Sequence, residues 1–359
     1  IELPVVYSTA SAELFATASI ALLDSLNCVD YLCFGCETDS IDLLNTVAEI
    51  LINEPKEYKD LLTLNLKTGI SFPKARAKAL DEYFKKYNLD YSLDINSNNY
   101  AKYHSDITSN SNLDINTFIN QPNNILGIEY IKALMRFNSK INPVPLKRLG
   151  AGYHSLDTRT KLASATGIRT AMANKDNISG LLPDNCLNII KHHTTIEYND
   201  FSTVLGSKLL SMDTLDHIEG INQDLSNRIA NNKYNFTDIE TFIPMLQSKN
   251  YTYSAISRAL LHIILDIKTD DIKEFISNNY VNYAMILGFN KNTGILSEIS
   301  KSTKIPLVSK FATFYKEADN NQRKMLDINL KADNLYRMIY MNKTSETLPT
   351  EFQRQIIIF

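Results

Sequence analysis

Three polar, glycine-punctuated clusters fall between residues 121 and 169: Gln121-Pro122-Asn123-Asn124-Ile125-Leu126-Gly127-Ile128-Glu129-Tyr130, Lys147-Arg148-Leu149-Gly150-Ala151-Gly152-Tyr153-His154 and Ser164-Ala165-Thr166-Gly167-Ile168-Arg169. Each adjoins an apolar run, which is how an α/β fold builds a phosphate-binding rim from strand ends and helix starts. In the third cluster the Ser164 and Thr166 hydroxyls and the open N–H groups of a helix start can face one anion, and Arg169, about a turn further, adds a bidentate cation. The same six residues also read as an ordinary Ser/Thr helix cap followed by a surface arginine. Taken together, the clusters favour nucleotide chemistry.

Length and composition bound what surrounds them. At 359 residues and 44% hydrophobic content the chain is long for one core and is expected to fold as two or three units. No apolar run approaches the roughly 18 residues of a membrane span and no secretory pattern is present, so a soluble, cytoplasmic protein is expected. Four cysteines, Cys28, Cys33, Cys36 and Cys186, are too few for a disulfide scaffold. Cys33-x-x-Cys36 lacks a second pair or a suitably spaced histidine, and reads as packing at a strand end. The net charge of −3 argues against wholesale nucleic-acid binding, but its distribution is uneven. Residues 1–60 hold two Lys against eleven acids (−9), residues 121–180 nine Lys or Arg against three acids (+6), and residues 301–343 nine against four (+5). Two basic regions would suit phosphates at one place and a polyanion along another face, although solvated helix faces give similar counts.

The elements that must position these residues can be read coarsely. Ile1 to Val6 reads as a strand with no initiator Met or preceding turn, as though the sequence began inside a domain. Ser11 opens an amphipathic helix, Tyr31-Leu32-Cys33-Phe34-Gly35 reads as a buried strand ending at a glycine, and Ser40 caps the next helix. Helices are expected over Pro55–Leu66 and Pro73–Phe84, then a polar insertion over 85–117. Pro143 and Pro145 are expected to break the chain before a short strand at Lys147. From Leu187 onward the pattern is helical, with a small mixed substructure near 287–308 and a last helix from about Asn321 to Tyr340. The expected fold is α/β, with a Rossmann-like parallel-sheet domain over 1–185 and a mainly α-helical region over 186–359.

Ser164 to Arg169 resembles the second signature of the HxGH nucleotidyltransferase superfamily, with Ala165 in place of its middle hydroxyl. With Ile1-Glu2-Leu3-Pro4, Ser11-Ala12-Glu13, Val29 to Gly35, Phe72-Pro73-Lys74-Ala75-Arg76, Pro122 to Tyr130 and Arg148 to His154, the resemblance narrows to the bacterial tRNA(Met) cytidine acetate ligase family. Glu219-Gly220-Ile221, Asn227-Arg228-Ile229 and Arg258-Ala259-Leu260-Leu261-His262 extend it more weakly into the helical part.

That resemblance implies an ATP-dependent ligase that activates acetate as acetyl-adenylate and acetylates the N4 amine of the wobble cytidine of elongator tRNA(Met), with ATP and Mg²⁺ as cofactors. It implies ATP contacts at Gly35, Asn123 and Arg148, catalytic roles for Ser164, Thr166 and Arg169, and no resident metal ligands. RNA-stem binding is expected of the 301–343 region or the helical part, with no membrane and no evident protein partner. The family's first signature, His-x-Gly-His after the first strand, is not among the spacings of the six histidines and is expected upstream of Ile1. Another small-molecule adenylyltransferase of the superfamily, or an inactive tRNA- or nucleotide-binding protein, are the alternatives.

Overall fold

The computed structural model describes residues 1–87, 115–148 and 163–359. It is a mixed α/β molecule, mostly helical, with small parallel sheets. It divides into two compact units, one of residues 30–181 and the other of residues 1–29 with 182–359.

The unit of residues 30–181 begins with β1 (Tyr31–Cys36); the chain before it carries α1 (Val5–Ser8) and α2 (Ala12–Leu26). Helices α3 (Ile41–Asn53), α4 (Lys56–Lys67), α5 (Phe72–Lys86), α6 (Ile115–Phe118) and α7 (Pro122–Arg136) follow, then β2 (Asn142–Lys147) and α8 (Ala165–Ala173). Ser40 caps α3 by accepting from the Leu43 N–H at 3.3 Å, as its place before an apolar stripe predicts. Leu43, Leu44 and Val47 of α3 share a core with Tyr58, Leu80, Phe84, Phe118, Ile128 and Ile131.

β1 and β2 pair in parallel, with Tyr31 opposite Asn142 and Cys36 opposite Lys147. Two expectations change here. β1 is not buried on both faces, since Tyr31, Cys33 and Gly35 are exposed. Pro143 and Pro145 do not break the chain but lie inside β2. Asn142 donates to Asp30 and Arg148 to Cys36 across the ladder, so by strand alternation the nitrogens of 143 and 145 face away from β1. Proline removes only donors that the β1–β2 ladder does not use.

In the other unit, α9 (Asp184–Lys191), α10 (Ser202–Ser211), α11 (Gln223–Asn232), α12 (Ile239–Leu246), α13 (Tyr253–Leu265) and α14 (Thr269–Ser277) lead into β3 (Ala284–Met285), β4 (Gly288–Phe289), α15 (Ile295–Ser302), β5 (Leu307–Val308), α16 (Phe311–Glu317), α17 (Asn320–Thr344) and β6 (Ile357–Ile358). β3 pairs with β5 and β4 with β6, forming the small mixed substructure expected there. The first residues form the short helix α1 rather than a strand, apart from a single bridge from Glu2 to Met285. Val6, Tyr7, Leu22 and Leu26 are buried with Leu260, Ile263, Phe275, Met325 and Leu326, so residues 1–29 share the helical unit's core. Buried Asn329 of α17 holds the start of the chain, its Oδ1 accepting from the Val5 N–H at 2.8 Å. His262 is a satisfied core residue: Nδ1 lies 2.8 Å from the Glu219 carbonyl and Nε2 3.2 Å from the Thr9 hydroxyl. Burial pushes its pKa down, keeping the ring neutral.

Candidate nucleotide site

Because β1 and β2 run in parallel, their carboxyl ends lie on one edge of the sheet, and three of the six residues singled out from sequence meet there. Gly35 is the penultimate residue of β1 and Arg148 follows β2 directly. The Arg148 stem lies over Gly35, where an added Cβ would sit 3.5 Å from Cγ. Arg148 Nη1 donates to Asn123 Oδ1 at 3.4 Å, which brings in the first turn of α7.

The start of α7 explains why. Its N-cap position is Gln121 and Pro122 follows, so the helix has no side-chain cap of its own. Glu37, just beyond β1, supplies one. Its Oε1 accepts from Asn123 Nδ2 at 2.7 Å and from the Asn123 N–H at 3.4 Å, and its Oε2 accepts from the Asn124 N–H at 2.9 Å. A carboxylate suits the positive end of a helix. Asn124 is fully buried and closes the turn from within. Its Oδ1 accepts from the Glu37 and Thr38 N–H groups at 3.0 and 3.1 Å, and its Nδ2 donates to the Phe118 carbonyl and Gln121 Oε1. The two adjacent asparagines therefore differ in role: Asn124 joins strand end to helix start, while half-buried Asn123 faces Arg148.

Ser164, Thr166 and Arg169 lie at the start of α8. Ser164 is buried and its Oγ accepts from the Gly167 N–H at 2.9 Å, a helix cap. Thr166 is half-buried in the first turn, and Arg169 is exposed three residues on, on the same face. The hydrogen bonds that gather Gly35, Asn123 and Arg148 do not reach α8 among the described residues. Leu149 to Leu162, including the Gly150-Ala151-Gly152 run and His154, lie outside the described residues.

The two cysteines of the Cys33-x-x-Cys36 pair sit in different surroundings. Cys36 is buried and Cys33 exposed, and burial, with Asp39 and Glu37 adding to it, pushes the Cys36 thiol up to about 12. Among the described residues no group of three or more His, Cys, Asp or Glu could hold a metal ion. No helix among them is long and apolar enough to cross a membrane. His192 and His193 end α9 at the surface, as a pair on a helix end.

The HIGH Nucleotidyl Transferase family profile matches residues 1–351. The tRNA(Met) cytidine acetate ligase of Halothermothrix orenii is 32% identical over 355 residues, covering 95% of this chain and 79% of its own length. That of Thermoanaerobacter sp. is 34% identical over 352 residues, covering 96% and 80%. The chain belongs to the tRNA(Met) cytidine acetate ligase family of HIGH nucleotidyltransferases. Thermotoga maritima TmcAL in its apo form superposes with a TM-score of 0.85 at 26% identity, covering 100% of this chain and 84% of that one. The same protein bound with alpha-thio ATP gives a TM-score of 0.83, also at 26% identity, covering 99% and 83%.

Glu37 was not among the residues singled out from sequence. A helix start with no Ser, Thr, Asp or Asn at its N-cap leaves its first N–H groups open to an acceptor from elsewhere in the chain, and an acid two residues past a glycine near a strand end is placed to supply one.

Proposed function

We propose that this chain is an ATP-dependent tRNA(Met) cytidine acetate ligase whose Rossmann-like nucleotidyltransferase part lies in residues 30–181. The observation that carries the reading is the gathering of Gly35, Asn123 and Arg148 at the carboxyl ends of two parallel strands, in a family with a member solved bound to an ATP analogue. Exposed Gly35 leaves the strand end open to a close-lying nucleotide, Asn123 offers an amide to ribose or base, and Arg148 offers a guanidinium to phosphate.

An acetate oxygen attacks the α-phosphorus, pyrophosphate leaves, and the N4 amine of the wobble cytidine then attacks the acetyl carbonyl as AMP departs. This is chemistry of positioning and charge neutralisation. Ser164 and Thr166 supply hydroxyls, and Arg148 and Arg169 supply fixed cations for the triphosphate. Mg²⁺ entering with ATP would offset part of the triphosphate charge beside these cations.

An unpaired anticodon base can enter such a pocket without melting a duplex. The tRNA stem, however, is a poor match for α17. Lys324 pairs with Asp271 and Glu274, Lys331 with Asp266 and Lys343 with Asp200, while Arg323 and Arg337 donate to backbone carbonyls. Those cations are largely engaged within the protein, so Lys301, Lys310 and Lys316, all exposed and outside α17, are the better phosphate contacts in the 301–343 region. A cytoplasmic location accords with a tRNA substrate and free cysteines. The reading is tested by incubating full-length enzyme with ATP, acetate and elongator tRNA(Met) transcript and analysing the nucleosides by mass spectrometry. N4-acetylcytidine at the wobble position, with pyrophosphate release that requires acetate, is expected; AMP transfer without tRNA or acetate would overturn it.

A further inference from the structure

The hydrogen-bonding chemistry around Asn123 allows one orientation of its amide. Glu37 is a carboxylate and can only accept, so the Asn123 NH₂ must face it; Arg148 can only donate, so the Asn123 carbonyl oxygen must face outward toward Arg148. Glu37 itself is held from three directions, by the Asn123 side chain and by the N–H groups of Asn123 and Asn124, while its own backbone N–H is fixed on Asn124. Without the carboxylate, an asparagine at this position could turn over and present a donor instead.

We propose that Glu37 is a positioning residue of the nucleotide site, locking Asn123 so that a nucleotide meets an acceptor oxygen there and is selected for a hydroxyl or amine that can donate to it. The inference rests on the reading that Asn123 contacts ATP. It assigns Glu37 no contact with the nucleotide. Glu37 acts through Asn123, and its effect should fall on nucleotide affinity and on discrimination between nucleotides that carry or lack the donor.

The test uses the full-length enzyme and compares ATP with 2′-deoxy-ATP, 3′-deoxy-ATP and ITP, which separate the two ribose hydroxyls from the adenine amine as the source of the donor. The wild type is expected to discriminate against one of these by about tenfold or more in kcat/KM, the range of one hydrogen bond left unmade. Glu37→Gln should raise KM for ATP about tenfold with a smaller change in kcat, and should flatten that discrimination. A purely structural loss would lower the melting temperature and leave the discrimination intact. The exchange Glu37→Gln with Asn123→Asp restores an amide donor facing a carboxylate and keeps an acceptor oxygen toward Arg148, so it should recover discrimination that Glu37→Gln alone loses. If Glu37→Gln does not fold, Glu37→Asp, one methylene shorter, takes the same readouts. An Asn123→Ala variant with unchanged KM would overturn the ATP reading of Asn123 and this inference with it. A raised KM in Asn123→Ala alongside unaltered KM and discrimination in the Glu37 variants would overturn this inference alone.

Discussion

The ring of Phe34 in β1 lies against the backbone of Gly127 in α7, so closely that a methyl group added at Gly127 would sit 2.6 Å from Phe34 Cε2. Tyr130, one turn further along α7, packs on the same ring at 5.6 Å between centroids. This contact sets how closely the helix approaches the strand, and the Glu37 bridge then ties the start of the helix to the strand's end. Gly127→Ala is therefore expected to destabilise by about 1–3 kcal/mol through overpacking, despite alanine's better helix propensity. Chemical denaturation measures it; a variant as stable as the wild type would show that Phe34 can move aside without loss.

Glu129 and Lys132, both nearly fully buried in α7, form an ion pair at 2.7 Å. Removing one partner strands a charge away from water. Lys132→Met should cost about 3–5 kcal/mol, whereas Glu129→Gln combined with Lys132→Met should recover most of it. Denaturation of both variants provides the check, and equal losses would mean that the pair's net charge is not what matters.

Asp333 of α17 is half-buried near Glu2 and Glu351, with Arg354 as the opposing cation, and burial pushes its pKa up to about 7. A carboxyl raised in the folded state binds its proton more tightly there than in the unfolded chain. The stability it contributes is complete below its ordinary value near 3.8 and is lost as pH rises through about 7. Asp333→Asn removes this dependence, so the variant should gain melting temperature relative to the wild type on going from pH 5 to pH 8. A difference that stays constant across that range would show that Asp333 titrates normally.

Arg169 is exposed on α8, and its proposed task is to offset phosphate charge as pyrophosphate leaves. Arg169→Ala is expected to lower turnover with saturating ATP by about 2–4 kcal/mol of transition-state stabilisation, with an unchanged melting temperature. Wild-type turnover in this variant would remove Arg169 from the site.

The clearest sequence signals were local. Ser11 and Ser40 announce helices by capping chemistry, whereas Pro122-Asn123-Asn124, which reads as a turn, is the first turn of α7, and its tie to the end of β1 is not legible in the sequence. What could not be read is tertiary. Residues 1–29 carry a helical stripe that fits either unit, and their placement depends on the apolar faces of α13 and α17 far along the chain. Local propensity treats proline as a breaker, but its cost in a strand depends on which side the missing N–H would have faced, and Pro143 and Pro145 therefore lie within β2. The basic count of 301–343 was real, but sequence does not tell a cation paired across the fold from one facing water.

Pro143 and Pro145 also give the small sheet a direction of growth. A strand approaching the outer side of β2 would find two donors deleted in succession, which makes that border a poor template for another chain. A strand that extends the sheet is better accommodated along β1. The outer border of β2 is thus shielded from mispairing by its own covalent structure, on the side opposite the strand that Arg148 leans over.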